Sequence, residues 1–192
     1  LSHDLRTPLA SIEGAGSLLL EQPDLTEAER RILLEQIRQE TRWLTRITEN
    51  MLSITRMAGG QVALRLTDEV VEEIVDGAVM KLRRNSASLP VTVERPQEII
   101  TAPMDATLME QVLLNILENA VLHGQRVQNI AMTARRRGEK AEIRVTDDGV
   151  GIDPHRLESI FDGMRTRSEQ TGSDRRSMGI GLTVCRTIVN AH

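Results

Sequence analysis

A heptad seam limits what this chain can fold into. Apolar side chains recur at alternating steps of four and three residues, with Glu40 as the polar exception, at Leu33, Ile37, Leu44, Ile47, Met51, Ile54 and Ala58. This spacing predicts one long helix with a coiled-coil-like face. Thr26 and Glu29 form a capping box at its start, and Gly59-Gly60 predicts its end.

A second apolar stripe precedes the seam, on a helix predicted to run to about Glu21. Its members are spaced three and four residues apart, at Leu1, Leu5, Leu9, Ile12, Gly16 and Leu19. Two antiparallel helices with one apolar face each cannot bury those faces alone. Pairing with a second copy as a four-helix bundle is predicted, and packing against the rest of the same chain is the alternative.

His3 points away from the first stripe. Asp4 is its neighbour, and Thr7 lies one turn along the same outer face. Pro8 has no N–H, so the carbonyl of Asp4 loses its partner and a kink is predicted there. An exposed histidine is ordinarily only a surface residue, so any special role depends on motifs further along the chain.

Composition excludes several classes of protein. A net charge of −4 provides no basic field for nucleic acid, and Cys185 is the only cysteine, which excludes an internal disulfide or a cysteine-based zinc site. No apolar run is long enough to span a membrane. Because the sequence opens with Leu1 inside a running helix, we expect it to be an excised piece, with any sensor or membrane region upstream.

Beyond Gly60 the pattern changes to alternating strands and helices. Strands are expected at 61–66, 91–93, 98–101, 127–135 and 141–146. Helices are expected from a cap at Thr67 or Asp68, from Asp105 to about His123, at Asp153-Pro154 and over Ile180 to Ala191. This order predicts an α+β sandwich, with one sheet covered on one face by helices.

Asn115 and Asn119 share one face of the helix expected after Asp105. An amide oxygen there could coordinate Mg²⁺, which takes few protein ligands and keeps water and phosphate. The alternative is that both amides make local hydrogen bonds.

Two glycine-containing segments could hold the rest of a nucleotide. Asp147 ends a strand, and Gly149 and Gly151 allow sharp turns and the close approach of a flat ligand. Gly179 and Gly181 open the last helix, whose free N–H groups favour phosphate. Each segment alone is equally consistent with an ordinary turn.

In this order the segments resemble the N, G1, F and G2 boxes of the Bergerat-type ATPase domain shared by histidine kinases, Hsp90 chaperones, type II topoisomerases and MutL repair proteins. The matching segments are 109–120, 147–152, 160–162 and 179–186. His-Asp-Leu-Arg-Thr-Pro-Leu at 3–9 resembles the H-box of sensor histidine kinases. The whole chain is thus similar to a histidine kinase core. The sequence around the N-box, and Cys185-Arg186 in the last helix, resemble the potassium-responsive Kdp-type sensor kinases.

The resemblance implies an all-α plus α+β protein of two domains. Residues 1–59 would form the dimerisation and phosphotransfer hairpin, a homodimeric four-helix bundle. Residues 60–192 would form a Bergerat-type α/β sandwich that binds ATP and is truncated at its C-terminal end. The fragment would be the cytoplasmic portion of a bacterial inner-membrane sensor, reaching the membrane only through missing upstream regions.

The resemblance also implies an enzyme and its residues. ATP and Mg²⁺ would serve autophosphorylation of His3, followed by transfer to an aspartate of a response regulator receiver domain. Asp4 would orient His3, and Thr7 would serve a phosphatase reaction. Asp147 would hold adenine, and Asn119 would ligate Mg²⁺ beside Asn115. The rest of the nucleotide site would be Gly149, Gly151, Ile152, Phe161, Arg165, Arg167, Gly179, Gly181 and Leu182.

Departures from the family pattern leave two rival functions. Leu122-His123 stand where the family often has lysine and an aromatic residue, and substitutions also occur at Met164, Ser177 and Asp148. Lid arginines at 165, 167, 175 and 176 could restore the positive charge or simply be solvated. A non-catalytic docking module that binds nucleotide poorly is one alternative. A freestanding ATPase is disfavoured, because Asn115 replaces the glutamate that activates water in such enzymes.

Overall fold

The computed structural model describes residues 2–58, 64–85, 90–124, 127–157, 159–161 and 180–192. The chain divides into two compact units, Leu1–Thr55 and Arg56–His192. The domain boundary expected at 59/60 stays a prediction. In the described part of the chain, no helix is long and apolar enough to cross a membrane.

The first unit is a helical hairpin of α1 (Ser2–Glu21) and α2 (Glu27–Ala58). Hydrogen bonds confirm the predicted capping box. Glu29 donates its N–H to Thr26 Oγ1 at 3.3 Å, and Glu29 Oε2 accepts from the Thr26 N–H at 2.8 Å. Hydrogen bonds from the side chain and backbone of Thr26 lower the pKa of Glu29. The expected end at Gly59-Gly60 lies outside the described residues.

The hairpin buries only part of the two predicted stripes. Pro8 and Ala15 of α1 and Ile47 and Asn50 of α2 are buried, whereas Leu9 is 54% exposed. Leu9 follows Pro8 by about 100° around the helix, so the inward face of α1 is centred to one side of the predicted stripe. Among the described residues, apolar side chains therefore stay exposed on both helices, such as Leu20 on α1 and Ile32 on α2.

The second unit contains nine described elements. They are β1 (Thr67–Val70), α3 (Val71–Asn85), β2 (Val91–Glu94), β3 (Thr101–Met104), α4 (Ala106–His123), β4 (Ile130–Arg137), β5 (Lys140–Asp147), α5 (Pro154–Leu157) and α6 (Ile180–Ala191). In one sheet β4 lies between β2, which is parallel to it, and β5, which is antiparallel. Strands β1 and β3 form a separate antiparallel pair.

The prediction of one sheet is therefore wrong for the described strands. Pro103 lies within β3 and has no N–H, so this strand cannot carry a complete ladder on both edges. The expected strand at 98–101 is displaced to β3. Helices α3 and α4 contribute to one core with the inner face of β4, whose Ile130 and Met132 are fully buried.

The segment before α3 also differs from the prediction. Residues 61–63 lie outside the described part, and residues 64–66 are not in a strand. Thr67 and Asp68 do not cap a helix, since they belong to β1 and pair with Met104 and Pro103. The Thr67 hydroxyl donates to Glu69 Oε1 at 2.6 Å. Pairing with a distant strand thus outweighs the local capping signal.

Candidate functional site

Helix α4 carries the two asparagines. Asp105 caps it as predicted, with Oδ1 accepting the Leu108 N–H at 3.1 Å. At its other end, the Gly124 N–H donates to Ala120 O at 3.0 Å. Asn115 is only 6% exposed and Asn119 is half-buried. Position 115 thus lies in the protein interior, while position 119 lies one turn nearer the end of α4.

Asn115 is joined to helix α6 through a buried thiol. Its side chain hydrogen-bonds Cys185, whose Sγ also donates to Val112 O at 3.6 Å. Burial raises the pKa of Cys185 to about 11, and the hydrogen bond from Asn115 opposes that shift only in part. The thiol is therefore neutral at physiological pH. Sequence patterning gave no signal for this contact beyond the amphipathic character of α6.

Asp147 stands at the end of β5, as predicted, and is exposed. Its Oδ1 accepts the Gly149 N–H at 2.9 Å, which leaves Oδ2 for the donor of a ligand. The Val150 N–H then donates to Gly124 O at 2.9 Å, so the turn after β5 is held against the end of α4. With this geometry, the Asp147 carboxylate could accept a hydrogen bond from a donor such as the exocyclic amine of adenine.

Gly149 and Gly151 are required for different reasons. A Cβ on Gly149 would lie 2.3 Å from Gly124 O and 2.8 Å from Gly124 Cα, so the backbones meet too closely for a side chain. Gly151 has φ +75°, a left-handed conformation that glycine adopts without strain. Among the described residues, no atom lies within 4 Å of where its Cβ would be. Ile152, beside it, is half exposed.

Asp148 also ties this turn to the segment before β4. Its Oδ1 accepts the N–H groups of Gln128 at 2.8 Å and Asn129 at 3.1 Å. Those N–H groups, Asn129 first, lower the pKa of Asp148. Sequence analysis treated Asp148 only as a departure from the family pattern. Its partners are 19 and 20 positions away, so no local pattern in the sequence pointed to this contact.

Helix α6 is fastened at both ends. Near its start, the Thr183 hydroxyl donates to Phe161 O at 3.1 Å, which joins the predicted F and G2 segments. At its far end, His192 Nε2 accepts the Asp105 N–H at 3.0 Å. His192 Nδ1 lies 2.8 Å from Ile188 O and must therefore carry the ring proton.

The remaining predicted site residues are placed only in part. Gly181 and Leu182 are half-buried in α6, and Phe161 is 37% exposed. Arg165, Arg167 and Gly179 lie outside the described residues, as do Met164 and Ser177.

In the first unit, His3 and Asp4 belong to α1, but their side chains are not described. Thr7 is exposed on the same helix, as expected, and Pro8 lies inside it. The predicted kink at Pro8 stays a prediction.

The residues present fit ATP and Mg²⁺. Asp147 offers an exposed carboxylate, a Cβ on Gly151 would meet no described atom within 4 Å, and Asn119 offers a half-buried amide. The described part of the chain contains no group of three histidine, cysteine or acidic side chains suited to a metal ion. Mg²⁺ accepts few protein ligands when phosphates supply the others, so such a group is not required.

Comparison with known proteins gives two matching domains. Residues 1–60 match the His Kinase A (phospho-acceptor) domain, and residues 104–192 match the histidine kinase-, DNA gyrase B- and HSP90-like ATPase domain. The chain is 35% identical to the sensor protein KdpD of Clostridium acetobutylicum and 31% identical to that of Escherichia coli K12. These alignments cover 100% of this chain but 21% of each relative, so the chain spans about a fifth of their length.

A solved structure supports the fold. The histidine kinase ThkA, in complex with the response regulator protein TrrA, has a TM-score of 0.66 to this chain at 21% identity. The match covers 97% of this chain and 52% of that one. Together, the hairpin, the ATPase unit and the two matching domains show that the chain has the two-domain core of the sensor histidine kinases.

Proposed function

We propose that this chain uses ATP to phosphorylate its own His3 and passes the phosphoryl group to an aspartate of a response regulator receiver domain. The observation that carries this proposal is the contact among the four ATPase motifs. Gly124 O, just after the N segment, accepts the Val150 N–H of the G1 segment, and Cys185 Sγ of the G2 segment donates to Val112 O of the N segment. Phe161 O of the F segment accepts the Thr183 hydroxyl of the G2 segment. Motifs that are scattered along the sequence are thereby linked within one unit.

The chemistry assigns a role to each group. Phosphorylation needs a neutral imidazole nitrogen as nucleophile, and Asp4 would accept the proton of the other ring nitrogen of His3. Asp147 would accept a hydrogen bond from the exocyclic amine of adenine. Asn119 would hold Mg²⁺, with Asn115 one turn away on the same helix. Bound Mg²⁺ supplies charge neutralisation at the phosphates. Gly179, Gly181 and the lid residues Arg165 and Arg167 would contact the phosphates.

Partner and assembly follow from the first unit. ThkA was solved with a response regulator, and a match to the phospho-acceptor domain supports a receiver domain as partner here. Uncovered apolar side chains on α1 and α2 support a homodimer through the hairpin. Thr7, exposed on the face predicted for His3, would serve dephosphorylation of the regulator. The matched sensor proteins support a cytoplasmic position next to a membrane sensor, and Kdp-type signalling in particular.

The direct test is incubation with γ-labelled ATP and Mg²⁺. Wild type should acquire label that acid removes, because phosphohistidine is acid-labile, and His3→Gln should acquire none. His155→Gln is the matched control, since His155 is an exposed histidine outside the proposed sites and should leave labelling unchanged. Acid-labile label that persists on His3→Gln would refute the assignment of His3.

One observation favours a second candidate, a docking module that binds nucleotide weakly. Leu122 is 53% exposed at the position where the family often places lysine. Titration with ADP separates the two functions, since the kinase requires saturable binding and the docking module does not.

A further inference from the structure

We propose that Asp148 is a positioning residue that sets the adenine preference of the site by holding Asp147 in place. The proposal rests on the proposed nucleotide site, because Asp147 is taken as the adenine acceptor. It adds a residue to that site, because Asp148 Oδ1 accepts two backbone N–H groups and thereby anchors the segment that carries Asp147.

The carboxylate closes the open end of a strand pair. Asp147 and Ile130 are paired residues at the end of the antiparallel β4–β5 ladder. One position further out, Asp148 Oδ1 accepts the N–H groups of Gln128 and Asn129 at 2.8 and 3.1 Å. A side chain thus joins the two segments just beyond the last paired residues. Fraying at that end would otherwise move Asp147 first.

A second tie fixes the other side of Asp147. The Val150 N–H donates to Gly124 O at 2.9 Å, and the backbones at Gly149 and Gly124 are in close contact. The Gly149 N–H in turn fixes Asp147 Oδ1 at 2.9 Å. Asp147 therefore lies between two anchored points, and release of either one allows its carboxylate to rotate away from the ligand.

The negative charge of Asp148 strengthens its hydrogen bonds to the N–H groups of Gln128 and Asn129. Hydrogen bonds to an ionised acceptor are about twice as strong as those between neutral groups. An asparagine at this position keeps an acceptor oxygen but loses the charge, whereas alanine loses both. The two variants should therefore form a graded series, with asparagine nearer to wild type.

The experiment compares ADP with inosine diphosphate, which lacks the exocyclic amine. Dissociation constants are measured for wild type, Asp148→Asn and Asp148→Ala. Asp76→Asn serves as matched control, because Asp76 is an acidic residue of the same unit paired with Arg95 on the surface. Wild type and the control should prefer ADP. In Asp148→Ala the preference should fall by about tenfold, the effect of losing one hydrogen bond to a charged group. The affinity for inosine diphosphate should stay within about twofold of wild type.

Several outcomes overturn the proposal. If Asp148→Ala binds both nucleotides more weakly by the same factor, Asp148 only stabilises the fold. If Asp148→Ala does not fold, Asp148→Asn decides, and an unchanged ADP preference there contradicts the positioning role. A wild type that binds both nucleotides equally well refutes the adenine assignment of Asp147 instead, so the two failures are distinguishable.

Discussion

The adjacent carboxylates of Asp147, the last residue of β5, and Asp148, just beyond the strand, have different partners. Asp147 keeps one oxygen for a ligand, whereas Asp148 binds two backbone N–H groups. Their sequence context is nearly identical, since both precede Gly149. Residue type alone therefore does not distinguish the ligand acceptor from its support.

Replacing Asp147 with Asn should weaken ADP binding by about one to two decades. Loss of a charged acceptor in a hydrogen bond costs about 1.5–3 kcal/mol. Isothermal titration of ADP measures the change, and Asp153→Asn is the control, because Asp153 is an exposed acid outside the predicted site residues, and its Oδ1 accepts the His155 N–H. An unchanged dissociation constant for Asp147→Asn would show that adenine binds elsewhere.

Cys185 should make stability fall in alkaline solution. Its pKa rises from 9.0 to about 11 on folding, so the unfolded chain loses the proton first as the pH increases. The contribution of the Cys185 thiol to the free energy of unfolding is fully present below about pH 9. It is lost as the pH rises to about 11, and the loss is at most about 3 kcal/mol.

Urea unfolding of wild type and Cys185→Ala at about pH 8 and about pH 10.5 tests this. The stability advantage of wild type over the variant should shrink at the higher pH. A difference that stays constant would contradict the burial effect, since all other titrating groups are common to both proteins.

For single residues, the sequence predicted the position of Asp147 at the end of a strand, the exposure of Thr7 and the need for glycine at 149. It did not predict what Asp148 and Cys185 contact. Asp148 binds residues 19 and 20 positions away, and Cys185 lies against Val112, 73 positions away. Such contacts depend on strand register and helix packing, which a local pattern does not contain.

The effect of replacing a glycine by alanine depends on which atoms the added methyl group would contact. A Cβ on Gly77 of α3 would lie 2.6 Å from Glu110 Oε1, which belongs to a flexible side chain of α4 bound to Lys81. A Cβ on Gly149 would meet the backbone of Gly124. The first neighbour can move aside and the second cannot.

Gly77→Ala should therefore change the free energy of unfolding by less than about 1 kcal/mol. The gain in helix propensity, about 1 kcal/mol, offsets the loss of an exposed ion pair. Gly149→Ala should destabilise by about 1–3 kcal/mol, as overpacking does. Urea unfolding measures both, and equal effects would contradict this account of the two contacts.

Elements with a local signal were predicted well. The capping residues Thr26 and Asp105 begin their helices as expected, and the strands expected at 127–135 and 141–146 are present as β4 and β5, which pair across a turn at Gly138. The short strands β1 and β3 were misplaced. Each has four residues and depends on pairing with the other, so neighbouring residues alone do not reveal it.

For the whole molecule, we expect a dimer. Leu44 and Met51 belong to the heptad seam and are the positions we expect deepest in the bundle, and in one hairpin they are only half-buried. A second hairpin would complete their burial. That expectation concerns surface that this chain leaves open, whereas the ATPase unit buries its own core.

Leu44→Glu should convert the dimer to a monomer or unfold the hairpin, because each subunit would place an unpaired carboxylate in the bundle. Leu52→Glu is the matched control. Leu52 is 51% exposed and lies about 80° further around α2, so its variant should stay dimeric. Light scattering at micromolar concentration reports the mass. A monomeric wild type, or a dimeric Leu44→Glu variant, would place the interface elsewhere.

The hydrogen bond from the Asp105 N–H to His192 Nε2 turns one amide into a reporter. The amide of a helix N-cap residue normally exchanges its proton with solvent quickly, since no bond within the helix uses it. Here it is covered only while α6 is docked, and α6 also carries Gly181 near the expected phosphates. Deuterium uptake at Asp105 should therefore slow when ADP binds and rise to the rate of an open amide in His192→Ala. Occupancy of the nucleotide site could then be read at the opposite end of α6, without any label on the ligand.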